Sequence, residues 1–172
     1  MKNYSSRKYS IEEYDPTWAN IYNSEKEKLA RIFGELAIDI QHVGSTAVVG
    51  LAGKPTIDIL IVVANIENVD ALNKDIASIG YLAMGAYISE DSRLFAIERD
   101  NRRIVNVHVF PINHPHIEEM IFLRDYLMSH PKIRDEYSEL KRHLFATYPD
   151  NYGKYRMLKD EYFKALMKRI RV

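Results

Sequence analysis

An aspartate and a histidine occupy comparable places in two apolar runs. Asp58 is the only charged residue in Ile57-Asp58-Ile59-Leu60-Ile61-Val62-Val63, and Asn106 and His108 alternate with valines between Arg103 and Phe110. An extended chain sends successive side chains to opposite faces. Ile57, Ile59, Ile61 and Val63 therefore share one face, and Asp58, Leu60 and Val62 share the other. Val105, Val107 and Val109 likewise oppose Asn106 and His108. If the two strands pair or neighbour each other, Asp58 and His108 fall on one face of a sheet. A carboxylate and an imidazole meeting there could bind a divalent metal, form an acid–base pair, or simply hydrogen bond to fix the fold.

Gly44-Ser45-Thr46 lies just upstream. A strand ending at Val43 and turning into a short helix there would aim backbone N–H groups and two hydroxyls at one spot, an arrangement that suits a phosphate. The same residues also suit an ordinary helix cap. Lys54, ahead of Pro55, would add positive charge near that mouth or remain a solvated lysine. Arg93 and Arg103 flank a second pair of strands, where guanidinium forks could clamp phosphates or join ordinary ion pairs. Glu98 or Asp91 could complete a one-metal site at Asp58–His108. Arg124 either reaches a cleft or ties the C-terminal helices to the sheet. His114-Pro115-His116 suits a helix-start loop better than a metal site.

These residues need elements to position them. Asp15-Pro16 is a helix-opening pair, followed by Trp18, Ile21, Tyr22, Glu25, Leu29, Ile32, Phe33 and Leu36 at helical steps, all apolar but Glu25. Strands are predicted over 38–43, 57–63, 93–98 and 103–110, and a helix over 67–79 ended by Gly80. Residues 1–13 are expected to be extended or loosely ordered. From Pro115 the pattern is helical. One segment carries Ile117, Met120, Ile121, Leu127 and Met128. A second opens at Pro131 with Ile133, Tyr137, Leu140, Leu144 and Phe145, and a third, after Pro149, runs through Tyr155, Leu158, Tyr162, Leu166 and Ile170. The expected fold class is α/β (α+β). A mixed sheet core over 1–112 and a helical part over 113–172 would form a single domain, since no Gly/Ser/Pro-rich linker divides them.

Composition narrows the function classes. The 172 residues are 47% apolar and 28% charged, and Lys+Arg and Asp+Glu both number 24. That balance argues against a nucleic-acid coat. The basic stretch 151–172 suits a solvated helix face better than an RNA contact. With no cysteine, thiolate metal sites and a Cys nucleophile are excluded, and a cytoplasmic location is expected. The polar N-terminus does not resemble a secretory leader, and the longest apolar run, Ile59 to Ala64, is too short to span a membrane.

His42-Val43-Gly44-Ser45-Thr46-Ala47, Gly50-Leu51-Ala52 and Lys54-Pro55 before Ile57-Asp58-Ile59 resemble the HxGSTAVPGLAxKPxIDI core of the GrpB family. Tyr14 to Trp18 is similar to that family's Y-x-P-x-W motif, and Val107-His108-Val109 to its HLHV strand. Phe122 to Leu127 with His130-Pro131 is similar to its FRDYLRxHP helix. Tyr137, Leu140-Lys141, Tyr155 and Lys159 continue the pattern. The resemblance implies the nucleotidyltransferase fold, the superfamily that includes DNA polymerase beta. It also implies a possible protein partner in CoA biosynthesis, because GrpB-like domains occur fused to dephospho-CoA kinase. In active nucleotidyltransferases a Gly-Ser turn holds the triphosphate. Two acids one residue apart and a third on a later strand bind two metals, here expected as Mg2+ or Mn2+. Carried onto this chain, Gly44 and Ser45 match the turn and Asp58 the first acid, while Leu60 and His108 replace the other two. The expectation is a protein that binds a nucleotide or other phosphorylated small molecule at Gly44, Ser45, Thr46, Lys54, Arg93 and Arg103. Asp58 and His108 would be its metal or acid–base residues. The alternative is a non-catalytic ligand-binding or folding-accessory module.

Overall fold

The computed structural model describes residues 6–170. Helix α1 spans Thr17–Phe33, one residue later than expected, and the Asp15 carboxylate accepts the Thr17 N–H at 2.8 Å. Its inner face buries Trp18, Leu29 and Phe33, whereas Ile21 stays exposed. Glu25 is buried with them, accepting bonds from the Tyr81 hydroxyl at 2.7 Å and the Lys28 ammonium at 2.6 Å. This explains the one polar residue on that stripe.

Strands β1 (Ala37–Val43), β2 (Ile57–Val63), β3 (Leu82–Ala83), β4 (Arg93–Arg99) and β5 (Arg102–Pro111) form one sheet in the order β1-β2-β5-β4-β3. The β2/β5 pair is parallel and the other pairs are antiparallel, so the sheet is mixed. The α/β reading holds. The two-residue strand β3 has no alternating apolar run and was not anticipated. The helix expected over 67–79 begins as a three-ten segment, Ile66–Leu72. Only Asn73–Ser78 is α-helix (α2). Three residues per turn put Ile66, Val69 and Leu72 on one side, and all three pack on the core.

Helices α3 (Pro115–Ser129), α4 (Pro131–Thr147) and α5 (Tyr152–Ile170) follow. Two faces of the sheet are used differently. Ile57, Ile59, Ile61, Val63, Val105, Val107 and Val109 pack beneath α1 and α2. On the opposite face Leu60, Val62 and Phe110 meet Ile117, Met120 and Ile121 of α3, while Met128 turns outward. Residues 6–13 are pinned to the rest of the chain. Lys8 N–H donates to Asn101 O, Glu12 bridges Gly53, and the Tyr9 ring sits among Phe145, Tyr152 and Tyr155. Residues 1–5 of the expected N-terminal segment lie outside the described residues.

Candidate functional site

In β2 the residues Leu60 and Val62 are covered by α3, but Asp58, at the head of the strand, faces a cavity between the sheet and the C-terminal helices. Register places Asp58 opposite Asn106 and Leu60 opposite His108 on β5. The Asn106 amide donates to Asp58 Oδ1 at 2.8 Å, and His108 Nε2 lies 3.2 Å from the same oxygen. The two strands therefore do bring Asp58 and His108 together. Burial alone would raise the Asp58 carboxyl, but the His108 contact, the Asn106 amide and the Lys54 charge outweigh it and hold it below the usual carboxylate value. His108 Nδ1 is buried and has no hydrogen-bond partner among the described residues.

The turn after β1 packs directly on this carboxylate. Gly44 has φ +75°, and a Cβ there would stand 2.6 Å from Asp58 Oδ2, so only glycine fits. A three-ten turn, Ser45–Ala47, follows. Ser45 lines the cavity, but Thr46 turns away: its hydroxyl is buried between His42 Nε2 at 2.9 Å and Thr56 O at 3.4 Å. His42 stacks on Tyr22, and burial, against the pull of Asp58, brings its imidazole down to about 4. Thr46 is thus occupied in holding the turn rather than in the cavity wall.

Lys54 lines the cavity, its ammonium donating to the Tyr152 hydroxyl at 2.7 Å. Burial raises the Tyr152 phenol, but Lys54, Lys159 and Arg156 overcome it and lower it overall. Arg103 also lines the cavity, with its guanidinium engaged by Glu98 at 2.9 Å and by the Asn106 side-chain oxygen Oδ1 at 3.0 Å. It orients Asn106 and, through it, Asp58. Arg93 lies elsewhere. Its fork is bound by Asp70 at 2.6 and 2.8 Å, and it is no part of the cavity wall.

The metal expectation fares differently. Glu98 is held by Arg103, and Asp91 lies 3.4 Å from His114, whose own Nδ1 caps α3 by accepting the His116 N–H. Among the described residues no three His, Asp or Glu side chains are grouped to hold a metal ion. Leu60, at the second acid position, is wholly buried beneath α3. The donor set does not fit a two-metal centre, which needs several convergent carboxylates.

Side chains from the C-terminal helices complete the cavity, and most of them were not singled out as site residues. Lys141 reaches from α4 to the Ser45 hydroxyl at 3.1 Å, and Lys159 on α5 pairs with Asp160 at 2.8 Å. Arg124 on α3 donates to Gln41 Oε1 and to His42 O, tying the helices to β1 while bordering the cavity. Lys141 had a local signal: it lies four residues after Tyr137 and three before Leu144, on the apolar stripe of its helix. Asn106 had one too, sharing the His108 face. The cavity measures about 820 Å³. Nine lysines and arginines line it against three acids, Asp58, Glu119 and Asp160.

Comparison with known proteins agrees with this architecture. The family model for "GrpB protein" matches residues 8–169. UPF0157 protein YqkA of Bacillus subtilis is 38% identical over 162 residues, 94% of this chain and 47% of that protein, so the chain spans about half of its relative's length. Dephospho-CoA kinase of Mycobacterium tuberculosis is 26% identical over 151 residues, covering 74% of this chain and 37% of the kinase. The crystal structure of conserved protein GrpB from Enterococcus faecalis superposes with a TM-score of 0.87 at 34% identity, over 93% of this chain and 96% of that one. Cid1 in complex with the UTP analog UMPNPP superposes with a TM-score of 0.51 at 11% identity, over 78% of this chain and 40% of Cid1, a likeness of fold. Among the described residues no helix is long and apolar enough to cross a membrane. A family match across almost the whole chain, joined to a solved GrpB structure of the same shape, makes this chain a member of the GrpB family.

Proposed function

We propose that the cavity binds a nucleotide or other phosphorylated small molecule, with its phosphates at the Gly44–Ser45 turn and beside Lys54. One observation carries this reading. A chain with 24 basic and 24 acidic residues concentrates nine of its cations around a single cavity with three acids. Such a volume focuses positive potential and draws anions. Apolar walls from Met120, Leu123 and Phe163 would suit the less polar part of the ligand. If the ligand reacts, the paired residues in place are Asp58 and His108. His108 orients the Asp58 carboxylate through Nε2, and Asp58, which faces the cavity, would take a proton from a ligand hydroxyl. Nucleotidyl transfer is the reaction class that the shared fold with Cid1 suggests.

A thermal-shift panel of nucleoside triphosphates and sugar phosphates, with Mg2+, with Mn2+ and with EDTA, tests the binding. A true ligand at a hundredfold excess over its Kd stabilises by about 2.7 kcal/mol, a rise of about 5–10 °C for a chain of this size. If no phosphorylated compound raises Tm under any metal condition, the reading fails.

A second reading has the chain assist folding or assembly of a kinase of CoA biosynthesis, and the likeness to dephospho-CoA kinase favours it. That role needs no open cavity. Co-expression with such a kinase, with soluble kinase yield as the measurement, separates the two.

A further inference from the structure

Lys141 is 2% exposed. Its ammonium touches the Ser45 hydroxyl at 3.1 Å and the Tyr137 ring face at 4.5 Å, and among the described residues no carboxylate pairs with it. Burial, together with the charges of Lys159, Lys54 and Arg142, pulls this ammonium well below the usual lysine value. Gly53 makes the contact possible, since a Cβ there would stand 2.6 Å from Ser45 Cβ and 3.4 Å from Lys141 Nζ. The residues of the Gly44–Ser45 turn and Lys141 thus line one volume, which Lys54 and Lys159 also line. A buried ammonium lacking an anion is costly to hold, and an anionic ligand offsets that cost.

The acids show the reverse. Asp58 Oδ1 already accepts from Asn106 and contacts His108, and Oδ2 packs on Gly44. Leu60 supplies no ligand, and Asp160 is taken by Lys159. A pocket with several carboxylates needs divalent ions before it can accept a polyphosphate. A pocket lined by nine lysines and arginines against three acids is already positive.

We propose that Lys141, with Lys54 and Lys159, stands in for divalent metal in this cavity, so that a polyphosphate ligand is bound by ammonium groups without a metal ion. This rests on the reading that the ligand is phosphorylated, and it adds the ligand's class: an uncomplexed di- or triphosphate, bound as the free anion.

Calorimetric titration of the whole chain with inorganic tripolyphosphate, in EDTA and again in Mg2+, tests the assignment. The wild type is expected to bind in EDTA, and Lys141→Met to bind about ten- to hundredfold more weakly, the loss of one charged hydrogen bond. Methionine fills the same buried volume without charge. If that variant does not unfold cooperatively, Lys54→Met serves in its place with the same expected loss. Tripolyphosphate binding that requires Mg2+, equal binding by the folded variant, or no binding in either buffer overturns the assignment. Nucleotides that bind only with Mg2+ and lose nothing in Lys141→Met would sink it while leaving the cavity a nucleotide site. Tripolyphosphate bound in EDTA, with no organic phosphate bound at all, would keep the lysines as an anion site and sink the nucleotide reading.

Discussion

Gly44 packs its α-carbon so closely on the Asp58 carboxylate that a Cβ would stand 2.6 Å from Oδ2, and its φ of +75° already lies where side chains are disfavoured. Strain and collision therefore act together. Gly44→Ala is expected to cost about 1–3 kcal/mol of stability and to push the Asp58 carboxylate out of its bonds with Asn106 and His108. Chemical denaturation measures the first effect. The chemical shift of the Asn106 side-chain amide, which donates to Asp58 in the wild type, measures the second when compared with Gly44→Ala.

Replacing Lys141 by methionine should stabilise the fold while it weakens anion binding. The folded state lowers the Lys141 ammonium's affinity for its proton, so the unfolded chain binds more protons between that depressed value and the unfolded lysine value of about 10.4. Wild-type stability must rise with pH across that window, relative to Lys141→Met, because the penalty is fully present below it. Lys54, Lys159, Arg142 and Tyr137 surround the ammonium and remain in both proteins. Near neutral pH the variant is expected to gain on the order of 1–2 kcal/mol. A Tm difference that does not shrink toward alkaline pH would speak against a buried, unpaired ammonium.

Asp58 carries the opposite sign. Its folded carboxyl is held below the usual value, so its contribution is complete above the unfolded value of about 3.9 and is lost as pH falls through the folded one. Asp58→Asn should lower stability by about 1 kcal/mol at pH 7, with the gap from wild type closing in acid below about pH 4. Urea midpoints at pH 7, 5 and 3 decide this. A gap that is constant with pH would mean that the carboxylate charge is not what matters.

Tyr81→Phe removes the hydroxyl that donates to buried Glu25 at 2.7 Å, and should cost about 1–3 kcal/mol. Glu25 belongs to α1, on the sheet face opposite the cavity, so ligand affinity should be unchanged. A variant that unfolds earlier yet binds with wild-type affinity is the expected pairing.

Arg93→Ala should leave ligand binding untouched, because its guanidinium is spent on Asp70 away from the cavity. Its partly exposed ion pair should be worth less than about 1 kcal/mol. Any substantial loss of anion affinity in this variant would restore Arg93 as a phosphate clamp.

Local pattern went far in this chain. The period-two alternation of residues 57–63 and 103–110 set Asp58, and Asn106 with His108, apart from the Ile and Val faces of their own strands, and the parallel β2/β5 register then put all three on one face. Asp15, Pro115 and Pro131 marked helix starts to within two residues, because their preferences are local. The three-ten segment at 66–72 escaped, since apolar spacing of three and of three to four cannot be told apart over two turns. What only the tertiary structure decided was the far wall of the cavity. The hydroxyl of Ser45 and the ammonium of Lys141 are separated by 96 residues along the chain. Their meeting depends on how α4 docks over the turn, and no periodicity in either segment contains that distance. Arg93 and Arg103 show the same limit: two similar arginines near paired strands, one drawn to Asp70 and the other into the Asp58 network by the packing around them.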